Sequence, residues 1–276
     1  MVPLAAEPIF QIGNFPVTNA MLNAWIATVF FVLVAFVASR RTSLVPRGVH
    51  NVIEALIAGL LDQVQKVTED RKRAKAFFPL VATIFLFVLV SNWMGLIPGT
   101  GSIGIYGLMH GEMELIPLFR PATSDLNLTL AIAVLSVVVT HIAGTRVLGV
   151  ASHVSKFFNI RGVFRAVRKG PMAIVVAGIE FFVGLLEVIG EFAKTLSLSL
   201  RLFGNVFAGE ILIGVMMSLV AFVIPIPFIF LEILVGVIQA TVFAMLVLVY
   251  LTVATSAHGH DEEEAHAEPH GDAVHA

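Results

Sequence analysis

"SLSLRLFGNVFAGE", residues 197–210, sets Arg201 and Glu210 inside a run that is otherwise almost wholly apolar. An arginine stays charged at any physiological pH. If the run is a loop, both charges are solvated and chemically dull; if it is helix inside a membrane, each needs a reason. The rest of the chain decides between the two. Of its 276 residues, 58% are hydrophobic and 13% charged, with a mean hydropathy of +0.93. A soluble domain runs nearer a charged fraction of about a quarter, so this composition belongs to an integral membrane protein. The net charge is −2 and the charges are segregated along the chain, which leaves no basic face for nucleic acid. With no cysteine there is no disulfide framework, thiolate metal site or cysteine nucleophile.

Residues 19–38 carry no charge and fill the length that one membrane span needs. Further spans are expected at 77–97 and 125–145, followed by a long helix over 172–223, a turn at 224–227 set by Pro225 and Pro227, and a last helix over 228–257. The N-terminal segment, 1–18, lacks Lys and Arg, so the first span reads as a retained helix rather than a cleaved signal. Basic residues orient the rest. Eight Lys or Arg lie between Ser39 and Ala76 and six between Arg146 and Pro171, whereas 98–124 holds only Arg120. The positive-inside rule therefore puts the N-terminus and the 98–124 loop outside, and 39–76, 146–171 and the C-terminus inside. The fold class is all-α and membrane-embedded, with about five crossings and one polytopic domain. The basic amphipathic segments 50–76 and 151–170 suit the inner membrane surface, and "SLVPRG" at 43–48 reads as a polar turn.

A six-crossing alternative makes 191–205 an outer loop and leaves Lys194 and Arg201 in water. The five-crossing version demands a helix about 78 Å long at 1.5 Å per residue, which fits a bilayer only if strongly tilted. On such a helix, at about 100° per residue with Arg201 at 0°, Lys194 falls near 20°, Glu187 and Asn205 near 40°, Glu180 near 60° and Glu191 near 80°. One narrow face thus holds every ionisable residue from 180 to 205. Internal pairing of Glu187, Glu191 and Lys194 would account for part of the stripe. Arg201 has no acid three or four residues away, and intramembrane charges usually face a pathway or a partner. A seam of Gly190, Ser197, Gly204 and Ala208 runs beside it, between about −60° and −20°. Small residues at this spacing admit a close neighbouring helix, within the chain or outside it. Glu210 lies near 180°, away from Arg201 and toward the last helix, where Glu232 and Gln239 share a face. Two buried acids on adjoining helices favour a proton relay over a structural role. In "PATSDLNLTL" the polar residues Asp125, Asn127 and Thr129 alternate, with a helix cap as the competing reading. Asn92 and Trp93 sit at the outer end of the second span.

Taken together, "LSLSLRLFGNVFAGE" (196–210), "IQATVFAMLVLVYL" (238–251), "SNWMGLIPG" (91–99) and "PATSDLNLTLAIA" (121–133) closely resemble subunit a of the F-type ATP synthases, over about residues 20–255. The resemblance implies a stator subunit whose last two helices lie long and tilted against a rotating ring of c subunits, in a bacterial inner membrane. Further implied partners are the peripheral stalk subunit b, the remaining synthase subunits and the lipid bilayer. Arg201 matches the family's essential arginine, and Asn205, Glu210, Gln239 and Glu232 match its neighbours in proton translocation. Glu187, with Glu191 and Lys194 beside it, matches the cytoplasmic half-channel; Asn92, Asp125 and Asn127 match the outer one. Gly190, Ser197, Gly204 and Ala208 would pack on the ring. Gly95 stands where some bacterial relatives carry Asp. No cofactor or metal is implied, and with no P-loop in the chain, ATP chemistry falls to partners. A rival reading as a secondary transporter predicts an inverted internal repeat, which the sequence lacks. The histidine-rich end, 258–276, reads as a solvated tail rather than a metal site.

Overall fold

The computed structural model describes residues 6–40, 48–97, 99–100, 103–109, 112–150, 171–220 and 223–256. The 43–48 turn (apart from Gly48), the 151–170 segment and the 258–276 tail lie outside the described residues. Six helices make up the fold: α1 (Asn19–Ser39), α2 (Val49–Thr68), α3 (Arg71–Met94), α4 (Leu126–Leu148), α5 (Pro171–Leu219) and α6 (Pro225–Thr255). Two antiparallel hairpins, β1 (Pro8–Ile12) with β2 (Phe15–Thr18) and β3 (Gly104–Met109) with β4 (Glu112–Pro117), precede α1 and α4. A short 3₁₀ turn, Ala122–Ser124, leads into α4.

Helices α1, α3, α4 and α6 are long and apolar enough to cross a membrane. Helix α5 runs through 191–205 without a break, so that stretch is not the loop of the six-crossing alternative. Its 49 residues make a rod of about 74 Å at 1.5 Å per residue, over twice the roughly 30 Å of hydrocarbon.

Local chemistry explains the boundaries that depart from expectation. Helix α3 begins at Arg71, inside the segment expected to lie on the membrane surface. Glu69 takes a left-handed conformation (φ 55°) that ends α2, and the Asp70 carboxylate accepts from the Lys72 amide at 2.8 Å, capping the new helix. Pro225 does not sit in the turn but opens α6. A helix's first residues have no intrahelical use for their N–H groups, so proline costs nothing there and its fixed φ suits the start.

Helix α6 is the centre of the bundle, packing against α3, α4, α5 and α2. Its buried Ala240, Phe243, Ala244, Val247, Leu248 and Leu251 form one core with Val81, Ile84 and Val88 of α3, Ala133 of α4, and Leu198 and Leu202 of α5. The small residues Gly236, Ala240 and Ala244 recur every fourth position, which lets neighbouring helices come close. Helix α1 is buried only near its N-terminal end, at Asn19, Ala20, Asn23, Ala24 and Ala27. The rest of it shows apolar side chains such as Val32, Leu33 and Phe36 outward, as a hydrocarbon surrounding requires. Asn19 ties the two hairpins together, donating from its backbone N–H to the Glu7 carbonyl (3.0 Å) and from its side chain to the Pro117 carbonyl (3.2 Å).

Candidate functional site

Helix α5 has two unlike faces. Leu198, Ser199, Leu202, Val206 and Gly209 are buried in a helix that packs on α4 and α6. The Ser199 hydroxyl meets that of Thr129, on α4, at 3.2 Å. Arg201, Ser197, Gly204 and Ala208 are exposed on the other side. No atom of the described chain lies within 4 Å of the space a Cβ would fill at Gly190 or Gly204. Among the described residues, no hydrogen bond or ion pair reaches Arg201. The small-residue seam therefore does not pack on the described part of this chain, and the arginine stands on an open face beside it.

Between the faces, Asn205 donates from Nδ2 to Oε1 of Gln239 at 2.6 Å, linking α5 to the buried middle of α6. Glu232 reaches back from α6 onto the α5 backbone at Gly209. A Cβ at Gly209 would collide with the Glu232 carboxyl group, so only glycine admits that side chain here. This brings the two helices' acids to adjacent positions of α5, Gly209 and Glu210.

The Glu210 carboxylate is where the sequence expectation needs correction. It was expected to turn toward the last helix; its ion-pair partner is instead Arg120, in the link between β4 and α4. The physical reason is that α5 also packs on the 3₁₀ turn at 122–124, which brings that link over the C-terminal part of α5. Arg120 is 2% exposed and its Nε lies 3.2 Å from Glu210 Oε1. Sequence reasoning passed over it, although its being the sole basic residue of 98–124 was a usable signal.

Asn92 accepts from the Thr123 hydroxyl at 2.6 Å and donates to the Gly236 carbonyl at 3.5 Å, joining α3, the 3₁₀ turn and α6. Trp93 donates its indole N–H to the Ile233 carbonyl at 3.2 Å. Asp125 and Asn127 are not brought to Glu210 by any hydrogen bond or ion pair. Asp125 caps α4, accepting from the Asn127 amide at 3.0 Å and from its side chain at 3.2 Å. The free N–H groups of a helix start account for that use of the carboxylate. At Gly95 a Cβ would strike the Pro121 ring, which explains why no larger residue stands there.

On the N-terminal side of Arg201 along α5, Glu191 is paired. Its Oε1 lies 2.7 Å from Lys194 Nζ and its Oε2 lies 3.7 Å from His141 Nε2, on α4. Lys194 also sits 5.4 Å over the Tyr250 ring of α6. Glu187, one turn away, is exposed. The described residues hold no cluster of His, Cys, Asp or Glu suited to a metal ion. What the arrangement offers is carboxyl and amide groups strung through the bundle on the C-terminal side of Arg201 along α5, a paired cluster and an exposed carboxylate on its N-terminal side, and a fixed cation between them.

The family model described as ATP synthase A chain matches residues 21–252. A protein named ATP synthase subunit a from Moorella thermoacetica is 32% identical over 91% of this chain and 96% of its own length. Proteins of the same name from Geobacter sp. strain M21 and Geobacter sulfurreducens are each 34% identical, over 84% of this chain and 86% of theirs.

Proposed function

This chain belongs to the ATP synthase A chain family, as a multi-pass membrane subunit of the proton-translocating sector, and we propose that it is the stator half of the machine that turns proton flow into rotation. Its partners in this reading are a ring of c subunits against the open face of α5, the peripheral stalk subunit b, and the remaining synthase subunits. The chain itself performs no ATP chemistry. It lies in a bacterial inner membrane with its N-terminus outside and its C-terminus in the cytoplasm, the orientation that the basic segments favour.

Two aqueous half-channels reach the middle of the membrane from opposite sides without joining. The outer one runs past Asn92 to Glu210 and Glu232, with Asn205 and Gln239 beyond them. Asp125 and Asn127 shape its rim by starting α4. A proton passed inward neutralises a carboxylate on the ring, and the neutral acid can then turn through lipid, where the charged form is costly. After nearly a full turn it meets the inner half-channel, where Glu187, beside the Glu191–Lys194 pair, receives the proton. Arg201 stands between the two routes. Being always charged, it favours the ionised ring carboxylate and repels a proton that would cross directly. Each elementary charge moved through the field supplies about 2.3 kcal/mol per 100 mV, which the rotor transmits.

The observation that carries this reading is the open face of α5. Arg201 has no counter-ion among the described residues and is bordered by Ser197, Gly204 and Ala208, all exposed. A permanent charge in an apolar setting needs an acid close by, and small residues clear the approach for one carried by another helix. The test is Arg201→Ala in membrane vesicles holding the whole complex. Loss of ATP-driven proton pumping, with ATP hydrolysis by the detached soluble part retained, is the expected result. Unimpaired pumping contradicts the proposal.

A further inference from the structure

A crevice of about 370 Å³ opens between α2, α3 and α6, and none of the residues of the proton path lines it. Leu60 of α2, Phe78 and Phe85 of α3 and Met245 of α6 give it apolar walls. Only Gln63 and Thr241 bring a polar side chain to it, and the Thr241 hydroxyl already donates to the Val237 carbonyl of its own helix at 2.8 Å. Gln63, exposed on α2, is left as the one hydrogen-bonding group on offer. The volume lies at the lower end of small-ligand sites, about 300–1,000 Å³, and the walls suit hydrocarbon.

One end of this crevice is charged. With Phe78 at 0° on α3 and about 100° per residue, Phe85 falls near −20°, Arg71 near 20° and Lys75 near 60°. The wall that α3 lends the crevice therefore continues into two basic residues, about 5 and 10 Å nearer the start of the helix at 1.5 Å per residue. Both are exposed, and among the described residues no ion pair takes up either. Asp70, the acid beside them, accepts from the Lys72 amide at 2.8 Å and faces Arg73 at 3.9 Å. Helix α2, the opposite wall, exposes Val52, Leu56 and Ile57, as a helix lying in a bilayer surface does.

We infer that this crevice binds an anionic phospholipid, with one acyl chain between α2, α3 and α6 and the phosphate between Arg71 and Lys75. Helix α3 is long and apolar enough to cross the membrane and begins at Arg71, so the basic pair stands at headgroup level while Phe78 and Phe85 lie in hydrocarbon. A free phosphate would leave the apolar walls uncovered, and a purely apolar molecule would leave the two cations unanswered. A phospholipid carries both parts on one molecule. Arg71 supplies a planar fork of N–H donors to the phosphate and Lys75 a point charge, while the Gln63 amide can donate to an ester oxygen. A protein helix, about 10–12 Å across with its side chains, is too thick for a space of this volume. The site stands apart from the proton path, so neither reading depends on the other.

The test uses the whole complex in phosphatidylcholine vesicles containing a small fraction of a lipid with a diazirine in its acyl chain. That lipid carries either a phosphatidylglycerol or a phosphatidylcholine headgroup. Light attaches the chain to whatever it touches, and peptide mapping reads the position. Peptides around Phe78, Phe85 and Met245 are expected to take several-fold more label from phosphatidylglycerol than from phosphatidylcholine. Helix α1 around Leu33 and Phe36, both exposed, should take the two equally. The double variant Arg71→Gln, Lys75→Gln is expected to lose the preference in the crevice and keep the labelling of α1. Equal labelling of the crevice by both headgroups overturns the inference, as does a preference that survives the double variant. A crevice that takes no label, as a covering segment of another subunit would leave it, overturns it too. Should the double variant not assemble, Ala82→Leu decides, because it narrows the crevice from the α3 side. A several-fold loss of crevice label from phosphatidylglycerol, with α1 unchanged, supports the inference, and unchanged crevice label overturns it.

Discussion

Asn205 and Gln239, on the two longest helices, share a hydrogen bond of 2.6 Å one turn beyond Arg201. Gln239 is buried, whereas Asn205 lies at the edge of the open face. The pair thus sits where the protein-packed side of α5 gives way to the exposed side. If the two act as one unit, their effects should not add. Asn205→Ala and Gln239→Ala are each expected to slow proton pumping, with the double variant no slower than the worse single one. A coupling of about 0.5–1.5 kcal/mol corresponds to one such bond. Initial rates of vesicle acidification measure it, and full additivity would separate the residues.

Gly209 admits the Glu232 carboxyl onto the α5 backbone. Gly209→Ala is expected to displace that side chain, costing about 1–3 kcal/mol as overpacking does and cutting pumping strongly. Glu232→Gln in the same background should then add little. Pumping by Gly209→Ala at the wild-type rate would show that the close approach is dispensable.

Asp125 carries two readings that a pair of substitutions separates. As a cap, its loss in Asp125→Ala costs about 1 kcal/mol, and Asp125→Ser, which also caps, should recover both thermal stability and pumping. Recovery by Asp125→Glu alone would return the residue to the proton path.

Glu187 and Lys194 were expected to share a role at the inner side, but their surroundings differ. Lys194 is paired with Glu191 and sits half-exposed, and pairs of that kind contribute roughly 0–1 kcal/mol. Lys194→Met is therefore expected to leave pumping nearly unchanged. Glu187 is exposed on the Arg201 side, and Glu187→Gln should slow proton release. The reverse order of effects, read from the same acidification traces, would shift the inner path to the Glu191 cluster.

Much of this site was legible because it lies along one helix. The stripe holding Glu187, Lys194 and Arg201, and the small-residue seam beside it, follow from a period of 3.6 residues with no tertiary information. Contacts between distant segments were not legible. The partner of Glu210 is ninety residues away in sequence, and only the packing of α5 on the turn before α4 brings it near. The need for glycine at 209 likewise depends on where α6 crosses α5. The start of α3 could have been read from Asp70 and the start of α6 from Pro225, since both are end signals with a known physical basis. Hydropathy outweighed them because four basic residues follow Asp70 within five positions. Nothing in composition marked the two hairpins, which are short and lie ahead of the N-terminal ends of α1 and α4.

The central claim is that one face of α5 meets a moving partner and the other meets the chain's own helices. Ser197 and Ser199 make the sharpest comparison, being two residues apart, the same size, and respectively exposed and buried. The chain has no cysteine, so Ser197→Cys and Ser199→Cys each introduce a single thiol. Disulfide formation with a single cysteine on the outer surface of the c-ring, in intact membranes, is the measurement. Cross-linking from position 197 and not from 199 is the expected result. Cross-linking from 199, or from neither position in an assembled complex, would contradict the account.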